Sequence, residues 1–117
     1  MTVELNKENF DNLVLLYKIG EIEKFKAVFN EIALALDTYL AVLEKYRNLI
    51  GSRKSNIEDA IATASVLGGK FTNILILLPN GKSGSLDHLV NCLPKFVEIF
   101  FLEIKDLDAF LQEYKIN

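Results

Sequence analysis

The sequence predicts an all-α protein, an antiparallel up-down four-helix bundle formed by a single domain over residues 1–117. Apolar residues recur every three or four positions through four segments, which is the period of a helix. Glycine and proline are few and lie mostly between those segments. A chain of this length is enough for one hydrophobic core, and short connections favour the up-down order.

The first segment, Lys7–Ile19, is predicted to be a short helix. Asn6 precedes it, and an asparagine in that position accepts a hydrogen bond from the free amides of the first turn. Gly20 follows it and is the natural C-terminal stop. The apolar face consists of Phe10, Leu13, Val14 and Tyr17.

The second segment, Glu21–Ile50, has the strongest helical period and predicts a rod of roughly 45 Å. Apolar residues flank the main stripe, so we expect this helix to be covered on more than one side; they are Ala33, Leu34, Leu40 and Ala41. Asp37 interrupts them and is expected on a narrow exposed strip. An isolated carboxylate is not an active site, because acid–base catalysis needs a second group beside the substrate.

The third segment opens at Ser55, and Glu58 three positions later completes the pattern of a capping box. Small residues four apart predict close approach of a neighbouring helix, and they are Ala60, Ala64 and Gly68. The stretch Phe71–Leu78 also fits an extended strand. We favour a helix, because a lone strand has nothing to pair with.

The fourth segment, Ser85–Tyr114, is expected to begin with Ser85 as its N-cap. Pro94 lies inside the pattern, where it removes a backbone donor and clashes with the preceding turn. A kink near Asn91 to Leu93 is therefore expected, or else two helices with Pro94 opening the second.

The fourth segment also carries more large apolar side chains than one bundle face can use. Half of the chain is apolar, so some of this surface is expected to face a partner. Phe100 and Phe101 are adjacent and point about 100° apart on a helix. We expect Phe96 and Phe100 to point inward, and Phe101 to face outward with Ile99 and Leu102 as partner-binding residues.

Charges cluster at the ends of the second and fourth segments. A run without acids holds Lys45, Arg47, Arg53 and Lys54. These cations are typical of a helix C-terminus, where they stabilise the helix dipole. The alternative is a small basic patch, with Arg47, Arg53 and Lys54 binding an acidic partner. An acidic run at the end of the fourth segment complements them within one molecule or between subunits; it holds Glu98, Glu103, Asp106, Asp108 and Glu113.

The sequence predicts no catalytic residue, no cofactor and no metal. His88 and Cys92 are one helical turn apart, but the chain has one histidine and one cysteine, whereas a structural zinc site needs four ligands. Gly81-Lys82-Ser83 resembles the end of a phosphate loop. The position where that motif requires its first glycine is Ile76, so a turn between helices is the better interpretation.

Charge and hydropathy exclude further classes. The net charge of −3 gives no reason to expect nucleic acid as a partner. The longest uncharged run, Phe71–Gly81, is shorter than the about 20 residues of a spanning helix. The N-terminal residues lack the pattern of a signal peptide, and a single cysteine excludes an internal disulfide. We expect a cytoplasmic or virion-associated protein without a membrane span.

These observations favour a non-enzymatic helical protein–protein interaction module. It would be a structural or assembly component of a larger complex, such as a viral or phage particle, and would bind another protein or form a homo-oligomer. The alternative is a small inhibitor or immunity-type protein that silences one specific protein target. No small-molecule substrate is indicated.

Overall fold

The computed structural model describes the backbone of residues 4–50 and 55–114, and the side chains of residues 4–48 and 57–105. Over these residues the chain is helical and contains no strand, which confirms the all-α class. The elements are α1 (Lys7–Lys18), α2 (Ile22–Ile50), α3 (Ser55–Leu77), a 3-10 turn (Leu78–Asn80) and α4 (Gly84–Tyr114).

The turn between α1 and α2 depends on Gly20. Its φ of 82° lies in the left-handed region, which only glycine adopts without strain. The Gly20 amide donates to the Tyr17 carbonyl at 3.1 Å, and the Glu21 amide donates to the Leu16 carbonyl at 3.0 Å. This pair of bonds is a Schellman motif, so the predicted stop at Gly20 is confirmed.

Side-chain caps begin α1 and α4. Asn6 accepts from the Asn9 amide at 2.8 Å, as predicted. At α4 the capping residue is Ser83, whose Oγ accepts from the Leu86 amide at 3.1 Å. The expectation of Ser85 as N-cap is therefore wrong. Both serines have the right chemistry, and the earlier one caps a helix that starts at Gly84.

A continuous chain of aromatic rings runs through the core and joins all four helices. Successive ring centroids are 4.8 to 6.1 Å apart. The pairs adopt edge-to-face, tilted and stacked geometries, all typical of favourable aromatic contacts. In order of contact, the rings are Tyr39, Phe100, Phe101, Phe10, Phe71, Phe29, Phe25 and Tyr17.

Phe101 is part of this chain, so the expectation that its side chain faces outward is wrong. The residue is half-buried, and its ring lies edge-on to Phe10 with centroids 5.8 Å apart. The physical reason is that α1 packs against α4 as well as α2, and covers a second side of α4. Phe100 is fully buried, as predicted, whereas Phe96 is half-buried.

Pro94 lies within one continuous helix, Gly84–Tyr114, and its side chain is exposed. Two separate helices in this region are therefore excluded. The kink remains a prediction.

The small residues of α3 have two different environments. Ala60 and Ala64 are fully buried in the core, as expected of residues that allow close packing. A Cβ added at Gly68 or Gly69 would meet nothing within 4 Å. The close helix approach expected at Gly68 is therefore wrong, and the fold of one chain does not require either glycine.

We predict that Phe100→Ala lowers the free energy of unfolding by about 3–5 kcal/mol, because it removes a fully buried ring. Phe101→Ala should cost less, on the order of 1–2 kcal/mol, because its ring is half-buried but contacts two others. The exposed Leu102→Ala is the control, with a change within about 0.5 kcal/mol. Denaturant unfolding followed by circular dichroism measures all three. A wild-type midpoint for Phe101→Ala would place its ring outside the core.

We predict that Gly69→Ala stabilises the isolated chain by about 0.5–1 kcal/mol. Gly69 is helical and exposed, with room for a methyl group, and alanine favours the helix. Gly20→Ala is the contrasting variant, and it should destabilise, because alanine is strained at a positive φ. A loss of stability in Gly69→Ala would show that the site lacks the room described.

Candidate protein-binding surface

The exposed side of α3 carries no charge over most of its length. Between positions 60 and 80 every exposed residue is uncharged; they are Ala62, Ser65, Val66, Gly69, Thr72, Asn73, Leu75, Ile76, Pro79 and Asn80. The exposed side of α2 is ordinary by comparison, with Glu23, Lys24, Glu31, Asp37, Glu44 and Lys45. A long solvent-facing helix surface without charges is unusual in a soluble monomer and is typical of an interface.

A groove runs between α3 and α4 beside this surface. Its volume is about 250 Å³, and its lining is apolar apart from one threonine: Ala62, Thr63, Val66, Phe96 and Ile99. Val66 is 48% exposed and Ile99 is 40% exposed. Leu102 is 61% exposed and lies one helical turn beyond Ile99.

We call this surface the α3/α4 face. It consists of Ala62, Val66, Gly69, Asn73 and Ile76 on α3, with Phe96, Ile99 and Leu102 on α4. The α3 members are spaced four, three, four and three residues apart, which is the spacing of a helix seam that packs on another helix. Two predicted partner-binding residues, Ile99 and Leu102, therefore belong to this face, whereas Phe101 packs into the core.

Lys70 lies at one end of the groove. Its ammonium is 4.7 Å from the centroid of the Phe96 ring, which is a cation–π contact between α3 and α4. The half-buried Lys70 and the half-buried Phe96 thus cover each other. The groove from Phe96 to Ile99 stays apolar, with the cation at its edge.

The other exposed apolar residues are dispersed. Leu34 and Val42 on α2 are 62% and 41% exposed, and Leu15 and Ile19 on α1 are 54% and 61% exposed. The expectation that α2 is covered on more than one side is therefore wrong at Leu34. Leu75 on α3 is 55% exposed and lies outside the α3/α4 face, in a groove shared with α2. Isolated exposed apolar side chains are normal on a protein surface.

The predicted basic patch lies only partly in the described structure. The Arg47 guanidinium lies 4.0 Å from the Glu58 carboxylate, which links the end of α2 to the start of α3. Both side chains are more than a third exposed, so this pair contributes little to stability. Arg53 and Lys54 lie outside the described residues, as do the side chains of Ser55 and of the acidic run beyond Lys105.

A polar contact joins the end of α1 to the start of α4. The Tyr17 hydroxyl donates a hydrogen bond to the Asp87 carboxylate. Burial, this hydrogen bond and the carboxylate charge raise the pKa of Tyr17 to about 12. The Lys82 ammonium lies 5.2 Å from the centroid of the Tyr17 ring. A phenol with this pKa keeps its proton at neutral pH, so the contact is structural and supplies no general base.

His88 and Cys92 are in contact, with Sγ 3.7 Å from Nε2. Within the described residues, no group of three or more histidine, cysteine, aspartate or glutamate side chains is placed to hold a metal ion. Asp37 is exposed on α2, as expected. The segment at Gly81 is the predicted turn: its φ is 76° and its amide donates to the Leu78 carbonyl at 3.0 Å.

The most apolar helix, α3 with the turn that follows it, has the length and hydropathy of a membrane span. Among the described residues, Ile57–Asn80 is long and apolar enough to cross a membrane, with 24 residues and a mean hydropathy of 1.6. Lys70 interrupts this stretch, so its longest uncharged run is shorter than a spanning helix. Length and composition alone do not distinguish a membrane span from the core helix of a soluble protein.

Comparison with protein-family models, with curated proteins and with solved structures found no match to this chain.

We predict that alkaline pH destabilises the protein through Tyr17. Its pKa is raised from 10.0 in the unfolded chain to about 12 in the fold, so the stabilisation is complete below pH 10 and is lost as the pH rises through 12. Tyr17→Phe should lose about 1 kcal/mol near neutral pH and should show a flatter decline between these pH values. Denaturant unfolding at a series of pH values measures both effects.

Asp87→Asn is the matched variant for that experiment. It removes the carboxylate charge but keeps the buried ring, so the alkaline decline should begin at the same pH as in the wild type but should be smaller and end at a lower pH. Identical pH profiles for the wild type and Tyr17→Phe would contradict the assignment.

Proposed function

We propose that this chain is a non-enzymatic helical protein–protein interaction module that binds its partner through the α3/α4 face. It would act as a structural or assembly component of a larger complex. The single observation that carries the proposal is the uncharged exposed side of α3, continued onto α4 by Ile99 and Leu102. Water covers this apolar surface in the isolated chain, and binding a partner removes it from water.

The proposed scaffold for this face is an antiparallel up-down four-helix bundle. Phe10, near the start of α1, contacts Phe101 in the second half of α4, and Tyr17 near the end of α1 contacts Asp87 at the start of α4. These two contacts support opposite directions for α1 and α4. The ion pair that joins the end of α2 to the start of α3 supports the same order for the next pair.

The proposal also rests on how the buried and exposed groups are distributed. Among the described residues the buried side chains are apolar except for that of Tyr17, whose hydroxyl is bonded to Asp87. Catalytic sites usually hold titratable groups in clefts with shifted pKa values. Here the groove is lined by apolar residues, which suits an apolar side chain of a partner protein better than chemistry on a small substrate.

We predict that Ile99→Asp abolishes partner binding and leaves the fold intact. The substitution places a charge in the centre of an apolar contact, where desolvating it would cost several kcal/mol, about as much as a binding hot spot contributes. The assay is capture of partners from the native source on the tagged chain, quantified by mass spectrometry. Circular dichroism melts confirm that each variant is folded.

Leu34→Asp is the matched control, because Leu34 is at least as exposed as Ile99 but lies on α2. The proposal requires that Leu34→Asp captures the wild-type set of partners, including any untagged copy of the chain itself. Equal capture by Ile99→Asp and the wild type would refute it.

A further inference from the structure

We propose that a second copy of this chain covers the α3/α4 face, in a dimer whose two-fold axis lies in the plane of the interface, perpendicular to the helices, and passes close to Ile99. This inference rests on the proposed function, because it names the partner of the same face.

The first argument is the arrangement of charge along α4. Lys95 and Glu103 lie four residues before and after Ile99, about one helical turn away on each side. Lys95 is exposed and Glu103 is half-buried. The apolar centre of the face on α4 therefore has a cation at one end and an anion at the other, at equal distances.

The charged residues of α3 are arranged in the same direction as those of α4. Lys70 contacts Phe96, the residue next to Lys95, so it lies on the same side of Ile99 as Lys95. Ala62 lines the groove with Ile99, and Asp59 precedes Ala62 on α3, so Asp59 lies on the same side of Ile99 as Glu103. The part of the face around Ile99 is therefore basic on one side and acidic on the other.

A two-fold axis in the plane of the interface and perpendicular to the helices exchanges the two ends of the face. Lys95 of one copy is then opposite Glu103 of the other, and Lys70 is opposite Asp59, each twice by symmetry. An axis parallel to the helices would bring the two basic ends together and the two acidic ends together, which is repulsive. The charge pattern thus selects one of the two arrangements.

The second argument is the area of the face. The 23 residues of α3 span roughly 34 Å, and two helices side by side are about 20 Å wide. The whole solvent-facing side of α3 with the adjoining side of α4 therefore offers on the order of 700 Å², close to the about 800 Å² that each partner buries in a stable interface, and the α3/α4 face is its apolar part. Its centre is apolar and its ends are charged, which is the distribution found in such interfaces.

The third argument concerns the helix seam. Gly69 has no side chain, and nothing else in the chain occupies the space around it. A helix of the second copy can approach closest at this position. Asn73, one turn further on, is an exposed polar residue in the same seam, and a polar residue in a seam sets register.

A lipid bilayer fits the described contacts less well. The opposite side of α3 is buried against α2 and α4 through Ile57, Ala60, Ala64 and Leu67. Insertion of α3 across a membrane would withdraw these residues from the core. It would also place Lys70 within the hydrocarbon, where a charge is costly.

Sedimentation velocity over a concentration series tests the proposal with charge-exchange variants. Lys95→Glu alone and Glu103→Lys alone should each raise the dimer dissociation constant at least about tenfold, because each places two like-charged pairs across the axis. An equimolar mixture of the two variants should restore association as a heterodimer, and the double variant should restore the homodimer. Lys24→Glu and Glu31→Lys, both exposed on α2, are the matched controls and should dimerise like the wild type.

Oxidative cross-linking tests the position of the axis. Ile99→Cys in a Cys92→Ser background should form a disulfide-linked dimer, because residues at a two-fold axis face their own copies. Leu34→Cys in the same background should remain uncrosslinked.

Three results would overturn the second-copy inference. The first is a monomer at every concentration; the second is an unchanged dissociation constant in both charge variants. The third is co-flotation of the wild type, but not of Ile99→Asp, with phosphatidylcholine vesicles, which would assign the face to lipid. A different result would refute the proposed function: Ile99→Asp changes neither self-association nor the capture of any other protein.

Discussion

Burial of the aromatic chain is the constraint on which the rest of the structure depends. Phe10 lies in the middle of it and contacts both Phe71 of α3 and Phe101 of α4. The 12-residue α1 is too short to be a stable helix by itself, so its packed side chains hold it in place. The same packing covers the rings of Phe71 on α3 and Phe101 on α4, which would otherwise face water. The shortest helix therefore completes the core.

This arrangement also determines what is left exposed. With the rings packed inside, α3 turns Ala60, Ala64 and Leu67 toward the core, and the remaining side of the helix faces solvent. In most surface helices that remaining side is charged, but in α3 no exposed residue from Ala62 onward carries a charge. The exposed uncharged surface thus extends over most of α3, and Ile99 and Leu102 continue it onto α4.

Sequence features that act within one helical turn predicted more of this structure than features that depend on contacts between helices. The cap at Asn6, the stop at Gly20 and the helical class follow from short-range chemistry that acts within one turn. The position of Phe101 does not, because periodicity tells which residues share a side of a helix and not which neighbour covers that side. The sequence does contain a signal for the α3 face, an uncharged stretch interrupted only by Lys70, but an uncharged stretch fits a membrane span or a buried core helix equally well.

The separation of core and surface has a consequence for how binding relates to stability. Neither Ile99 nor Leu102 belongs to the aromatic chain, and Gly69 has free space around it, so changes there alter the surface without removing core contacts. Phe96 is the exception, since it lines the groove and also packs against the core. A glycine on an exposed helix costs stability that alanine would restore. The position of Gly69 in the middle of the α3 part of this face is therefore better explained by the proposed partner than by the fold of one chain.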